Sequence, residues 1–181
     1  MSGKFLAVVC AAVLLCGVCP AAQDASGGAA SSPAFWAEMI GKVVVVTEPA
    51  GGRSVLVVPD SGLPVRIADA GAEWERREGM WVEIEGTIAW REGAAWGEVW
   101  EFSIEDHPPR AGHALETEGV LSPAGSGGGP LLLTRTGNVR LAGSHRLLHS
   151  AGPDGLLVEV KGELIPDGES FALQVTWMEI D

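Results

Sequence analysis

The sequence predicts an all-β chain of two tandem five-stranded Greek-key barrels, each with one short helix between its third and fourth strands. Three observations predict it. The stretch Gly79-Met-Trp-Val-Glu-Ile-Glu-Gly-Thr-Ile88 returns as Gly155-Leu-Leu-Val-Glu-Val-Lys-Gly-Glu-Leu164. Each copy starts at a turn glycine and alternates apolar with polar residues. Each then breaks at a second glycine, Gly86 or Gly162, where a strand can bend or bulge. Second, Gly62-Leu-Pro-Val-Arg-Ile-Ala68 is echoed by Gly137-Asn-Val-Arg-Leu-Ala142, and the offsets are 75 residues at the glycine, 74 at Val-Arg and 76 at Val-Glu. A register that slips by single residues in loops is the mark of a duplicated domain. Third, the elements follow one order in both copies.

In the first copy, Gly41–Glu48 is a strand whose four successive valines suit burial on both faces. Pro49–Arg53 is a turn, Ser54–Val58 the second strand and Pro64–Ala68 a short third. Asp69 can then cap a helix over Ala70–Glu78, which Gly79 stops. The Gly79–Ile88 strand follows, and Trp96–Ile104 closes the unit. Residues 106–114 hold two prolines and read as a stiff linker. In the second copy Glu116–Pro123 is a strand, and 124–130 a glycine-rich turn. Leu131–Thr134 pairs with Val139–Ala142, and Ser144–His149 is a short helix. Gly155–Leu164 and Phe171–Ile180 close the chain. Ahead of both units, Ser32 and Pro33 can open a short helix whose stripe is Phe35 and Met39 with Trp36 and Ile40, a lid over the first barrel.

Five strands with a helix between the third and fourth is the element order of the OB-fold, a small barrel named for binding oligonucleotides and oligosaccharides. On that order and on the Gly … Val-Arg-Ile … Val-Glu-Ile-Glu-Gly pattern, the chain resembles the small exported OB-fold proteins of bacterial periplasms. The resemblance covers residues 38–106 and 115–181. It implies binding on a barrel face and its loops and leaves the ligand open.

Export has its own signal. Lys4 is the only charge before residue 24, and an unbroken apolar run spans Phe5–Val18 ahead of Cys-Pro-Ala-Ala. A basic n-region, a short apolar core and a small-residue cleavage site make a secretory signal peptide over residues 1–21, shorter than a membrane span. Residues 22–37 then hold a flexible tether and the short helix. The expected place is the periplasm or the medium, with no transmembrane segment after cleavage. Lipid anchoring at Cys19 is a minor alternative. All three cysteines, Cys10, Cys16 and Cys19, lie in that segment, so no disulfide is expected and each barrel must rest on its own core. Without Lys4, 11 basic residues face 24 acidic ones, a net charge of −13. Phosphate backbones are bound by Lys and Arg, so nucleic acid is not expected as a partner.

Five of the seven tryptophans, Trp74, Trp81, Trp90, Trp96 and Trp100, fall in the first unit's second half. Period two puts Trp96, Glu98, Trp100, Phe102 and Ile104 on one face, and core packing accounts for the last three. Trp81 stands opposite Val82 and Ile84, beside Glu83. The candidate ligand site is therefore Trp81, Glu83, Trp96 and Glu98: aromatic faces with carboxylates in one concave groove suit a sugar or a cation. His145 and His149, at i, i+4, supply half of a metal site, and no further ligand is at hand, so no metal or cofactor is expected. Gly125–Gly129 lacks the ending of a phosphate loop, and no nucleophile–base set can be singled out, so no enzyme is expected. The reading is a non-catalytic binding module of unknown ligand. The alternative is an assembly protein that meets an envelope partner through barrel edges.

Overall fold

The computed structural model describes residues 34–123, 129–144, 146–149 and 155–181. The export segment, most of the tether, residues 124–128 of the glycine-rich turn, His145 and the side chain of His149 lie outside them. Ten strands follow in order: β1 Phe35–Thr47, β2 Arg53–Val58, β3 Val65–Ile67, β4 Trp81–Arg91, β5 Ala94–Glu105, β6 Leu115–Ser122, β7 Leu131–Leu133, β8 Asn138–Ala142, β9 Leu156–Asp167 and β10 Ser170–Ile180. A four-residue helix, α1 (Ala72–Glu75), precedes β4, and a 3-10 turn (Arg146–His149) precedes β9. Among the described residues no helix is long and apolar enough to cross a membrane.

The strands form one ten-stranded sheet, ordered β2-β3-β5-β4-β1-β6-β7-β8-β10-β9. Two further pairings, β2–β1 and β6–β9, close β1–β5 into one cycle of neighbours and β6–β10 into another. The pairings β3–β5 and β8–β10 are parallel, and the rest are antiparallel. The cycles are joined where β1 runs beside β6, at Glu38↔Glu116 and Met39↔Leu115. The sheet is continuous there, so the expectation of a separate core for each unit does not hold. One buried cluster runs through both halves. Phe171 of β10 packs 5.7 Å from Phe35 and 5.9 Å from Trp90, ring centre to ring centre.

Where a helix opened by Ser32 and Pro33 was expected, Phe35–Ile40 are the start of β1, and Ser32 and Pro33 lie outside the described residues. Phe35, Ala37, Met39, Gly41 and Val43 are buried in strict alternation with less buried neighbours, apart from Trp36. A spacing of four residues fits a helical stripe, but it is also twice a strand's period, so Phe35 and Met39 satisfy both. The segment is no lid, because its residues pair with β4 from Phe35↔Ile88 to Lys42↔Trp81. The predicted helix over 70–78 shrinks to α1. Asp69 sits at φ 52° instead of capping it, and Gly71 takes the cap position. Trp74 of α1 is buried and lies 5.0 Å from the ring of Phe102.

The repeated glycines mark bulges. The β4–β5 register shifts between Glu85 and Gly86, so that Trp100 is the extra residue. The β9–β10 register shifts in the same way at Gly162, where Thr176 is extra. A Cβ on Gly86 would overlap the carbonyl oxygen of Glu98, and one on Gly162 that of Gln174. The first bulge also corrects the reading of β5 as one face of period two. The extra residue reverses the alternation: beyond it Phe102 and Ile104 lie opposite Ile84 and Val82, while Trp100 itself is turned out and 51 % exposed. Ile104, next to the strand's end, is 59 % exposed, so neither Trp100 nor Ile104 fills the core.

Backbone oxygen is a neighbour that cannot swing aside. Gly162→Ala is therefore expected to cost on the order of 2 kcal/mol in urea unfolding. Gly52→Ala, with nothing near its Cβ, should stay within about 0.5 kcal/mol of the parent chain. Equal effects from the two changes would show that the bulge does not need its glycine.

Candidate functional site

Residues directly opposite on paired strands share a face. The register therefore lays one row of side chains across six strands: Glu101, Glu85, Glu38, Glu116, Lys161 and Trp177. Four carboxylates in line across the seam between the two cycles are a costly arrangement, since like charges directly opposite repel. Two shallow cavities flank the row. One, of about 220 Å³, is lined by Glu38, Glu83, Glu85, Glu101, Phe102 and Ser103. The other, of about 330 Å³, takes in Trp36, Glu116, Glu118, Arg135 and Glu159, and shares Glu38 and Glu85 with the first.

Two cations are drawn onto this face. Lys161 Nζ lies 2.6 Å from Glu116 Oε2 and 3.0 Å from Glu159 Oε1, and 5.2 Å from the Trp177 ring. Hydrogen bonds to Glu116 and Glu159 hold the Lys161 ammonium above its usual pKa, and the bond from Lys161 holds Glu159 below the ordinary carboxylate value. Arg135, in the turn between β7 and β8, donates to Glu85 Oε1 at 2.5 Å. Its guanidinium lies 3.9 Å from the centre of the Trp36 ring and 5.6 Å from that of Trp100. Trp36 Nε1 donates to the same Glu85 oxygen at 3.0 Å.

Neutralisation is incomplete. Burial raises the Glu38 pKa, and the charges of Glu116, Glu83 and Glu85 raise it further against the pull of Arg135. Glu83 is also raised, by burial and then by Glu105 and Glu116. These are the features of a face that attracts positive charge and holds protons above the ordinary carboxylate range.

The four residues proposed from the sequence are not brought together. Trp81 and Glu83 are partly buried on the outer side of β4, where Trp81 pairs with Glu105 and Glu83 with Ser103. Trp96 pairs with Ala89, eight residues further along β4, which is about 26 Å at 3.3 Å per residue. It sits instead 5.2 Å from the guanidinium of Arg66, and its Nε1 donates to the Arg91 carbonyl. Arg66 in turn bonds Glu48 and Ser54. Hydrogen bonds to Glu48 from the Ser54 hydroxyl and then from Arg66 hold the Glu48 pKa down. Glu98 is exposed opposite Thr87. Only Glu83 lines a cavity described above. Trp36, Glu38, Glu116, Arg135, Lys161 and Trp177 were not singled out. Trp36 and Glu38 alternate with Phe35, Ala37 and Met39, and that period-two signal could have found them.

Among the described residues no group of three or more acidic, histidine or cysteine side chains is arranged to hold a metal ion.

No protein-family model and no curated protein matches the chain. Solved structures do. A deletion mutant of the single-stranded DNA binding protein from Thermus aquaticus aligns with a TM-score of 0.44 at 14 % identity, over 82 % of this chain and 95 % of that one. The wild-type protein gives 0.43 at 12 % identity, over 83 % and 93 %. The tetrameric p202 HIN2 structure gives 0.30 at 12 % identity, over 83 % and 96 %. The expectation that nucleic acid is not a partner is corrected by these neighbours, two of which are single-stranded DNA binding proteins. Net charge is a sum over the whole surface, and locally Arg66 stacks on Trp96.

The raised carboxylates set a pH dependence. The folded chain binds more protons at Glu38 and Glu83 than the unfolded chain does between 4.5 and their raised values. Stability contributed by these two groups therefore falls as pH rises through that window. Glu38→Gln, which removes one charge from the row, is expected to raise stability at pH 7 by about 0.5 kcal/mol. The gain should vanish below pH 4.5. Unfolding midpoints of both proteins across pH check this, and a gain independent of pH would contradict it.

Proposed function

We propose that the chain is an exported, non-catalytic binding module of two tandem OB-like barrels that arose by duplication. In this reading residues 1–21 direct export to the periplasm or the medium. The first barrel runs from Phe35 to residue 106 and the second over 115–181, with 107–114 between them. The two closed cycles of strand neighbours and the matched bulges at Gly86 and Gly162 support the two barrels.

The ligand class that fits best is a cation, and the face across the β1–β6 seam is the site, with Glu83 in it and Trp81 beside it. One observation carries this. The face already holds two cations of its own, each against an indole ring and carboxylate oxygens: Arg135 on Trp36 with Glu85, and Lys161 on Trp177 with Glu116 and Glu159. Cation–π contact plus a carboxylate is how proteins hold ammonium and guanidinium groups.

A second reading, assembly with a protein partner, draws on one feature. Leu133, Val120 and Leu157 are exposed and lie directly opposite one another on β7, β6 and β9. A contiguous exposed apolar row is a protein-contact feature.

Tryptophan fluorescence of residues 23–181 separates these readings when spermine, neutral oligosaccharides and a single-stranded oligonucleotide are titrated in turn. Spermine is expected to give a saturable change. It should weaken steeply as salt is raised toward 0.5 M, because exposed charges are screened over about 10 Å already at 0.1 M. The response should fade as pH drops and Glu38 and Glu83 take up protons. Glu83→Gln should weaken binding roughly threefold. Saturation by the oligonucleotide alone would make this a nucleic-acid module and end the cation reading. Silence to all three, with concentration-dependent self-association or crosslinking, would favour assembly.

A further inference from the structure

The second half of the chain reaches into the first at one side chain. The turn 134–137 belongs to the β7–β8 hairpin, yet the Arg135 guanidinium lies over Trp36 of β1, faces Trp100 of β5 and pairs with Glu85 of β4. Trp100 is the extra residue of a bulge, which turns a large indole outward instead of into the core. Two rings and a carboxylate around one planar cation form a guanidinium-shaped cage. A planar fork stacks on indole and bonds a carboxylate at its edge, which a compact ammonium does less well.

The cage stands where the two carboxylate-lined cavities meet. Glu38 and Glu85 line both, and Arg135 lines the second. The ion pair adds little to the hold on the occupant. Arg135 is half-exposed, its partner Glu85 a third exposed, and pairs of that kind contribute little.

We propose that this cage is an arginine subsite, filled in the free protein by Arg135 as a built-in occupant. The ligand is a basic peptide that displaces Arg135 with an arginine side chain of its own and lays flanking positive charges along the two cavities. The inference rests on the cationic-ligand reading above and adds the ligand class and a self-competing residue. A site occupied part of the time binds its ligand more weakly by the fraction of molecules that are open. Arg135 therefore sets the affinity of the free protein for peptide.

The test compares tetra-arginine with tetra-lysine, each titrated into the parent protein and into Arg135→Ala by tryptophan fluorescence and calorimetry. Loss of one positive charge strengthens both peptides by electrostatics alone, so the ratio between them is the readout. Arg135→Ala is expected to tighten tetra-arginine roughly tenfold and tetra-lysine by no more than about twofold. Adding Trp100→Ala, an exposed position, should return the ratio to that of the parent. Circular dichroism establishes that each variant is folded. Equal gains for the two peptides, or no gain for tetra-arginine in a folded Arg135→Ala protein, would overturn the inference. In either case peptide binding by the parent protein would leave the cationic-ligand reading standing. If neither protein binds spermine or either peptide, that reading falls, and this inference with it.

Discussion

The backbone of Trp36 is the point on which the rest of the molecule depends. Its carbonyl accepts a hydrogen bond from the Thr117 hydroxyl at 2.6 Å, and its N–H donates to the Thr134 hydroxyl at 3.2 Å. Thr117 is fully buried, and a buried hydroxyl without a partner is expensive. These two bonds come from β6 and from the β7–β8 turn, so the second half fixes the first residues of β1. Once they are fixed, the register of β1 against β4 and β6 follows, and with it the row of carboxylates. Bonds at Ile40 to the Ala114 carbonyl and at Leu63 to the Leu164 carbonyl secure the same seam further along.

That seam explains why an energetically awkward face persists. A strand that must be buried on its inner side by Phe35, Ala37 and Met39 has no freedom over where Glu38 goes. Moving Glu38 off the outer row would turn Met39 out of the core. The repulsion is offset locally, by Lys161 beside Glu116 and by Arg135 beside Glu85. The pull of Arg135 does not cancel burial and the neighbouring carboxylates at Glu38, whose pKa stays above the ordinary value. Charge is thus set by packing first, and binding chemistry is what the packed face then offers.

Local pattern was the part of this fold that the sequence made legible. The repeat located β4 and β9, the short helical turns and the glycines that stand at both bulges, because bulges and strand alternation are written in neighbouring residues. The start of β1 was misread because a spacing of four suits two periods at once. The outer side of β5 was misread because one inserted residue, Trp100, reverses every position beyond it. The row from Glu101 to Trp177 draws on six strands, and no spacing in the chain encodes which strands are neighbours. Arg135 had no local signal at all: its role comes from where the β7–β8 turn lands.

The two halves differ most where they meet. The residue that is extra at the first bulge is Trp100, and its counterpart 76 positions on is Thr176, whose hydroxyl bonds back to the Gly112 and Lys161 carbonyls. One bulge presents an indole to solvent, and the other seals itself. Glu38, Glu83, Glu85 and Trp100 come from the first half, while Glu116, Arg135, Glu159 and Lys161 come from the second. Neither half alone therefore holds the cage, both cavities or the complete row. On the proposed duplication, a single unit would lack the face, and the seam between the two copies would supply it.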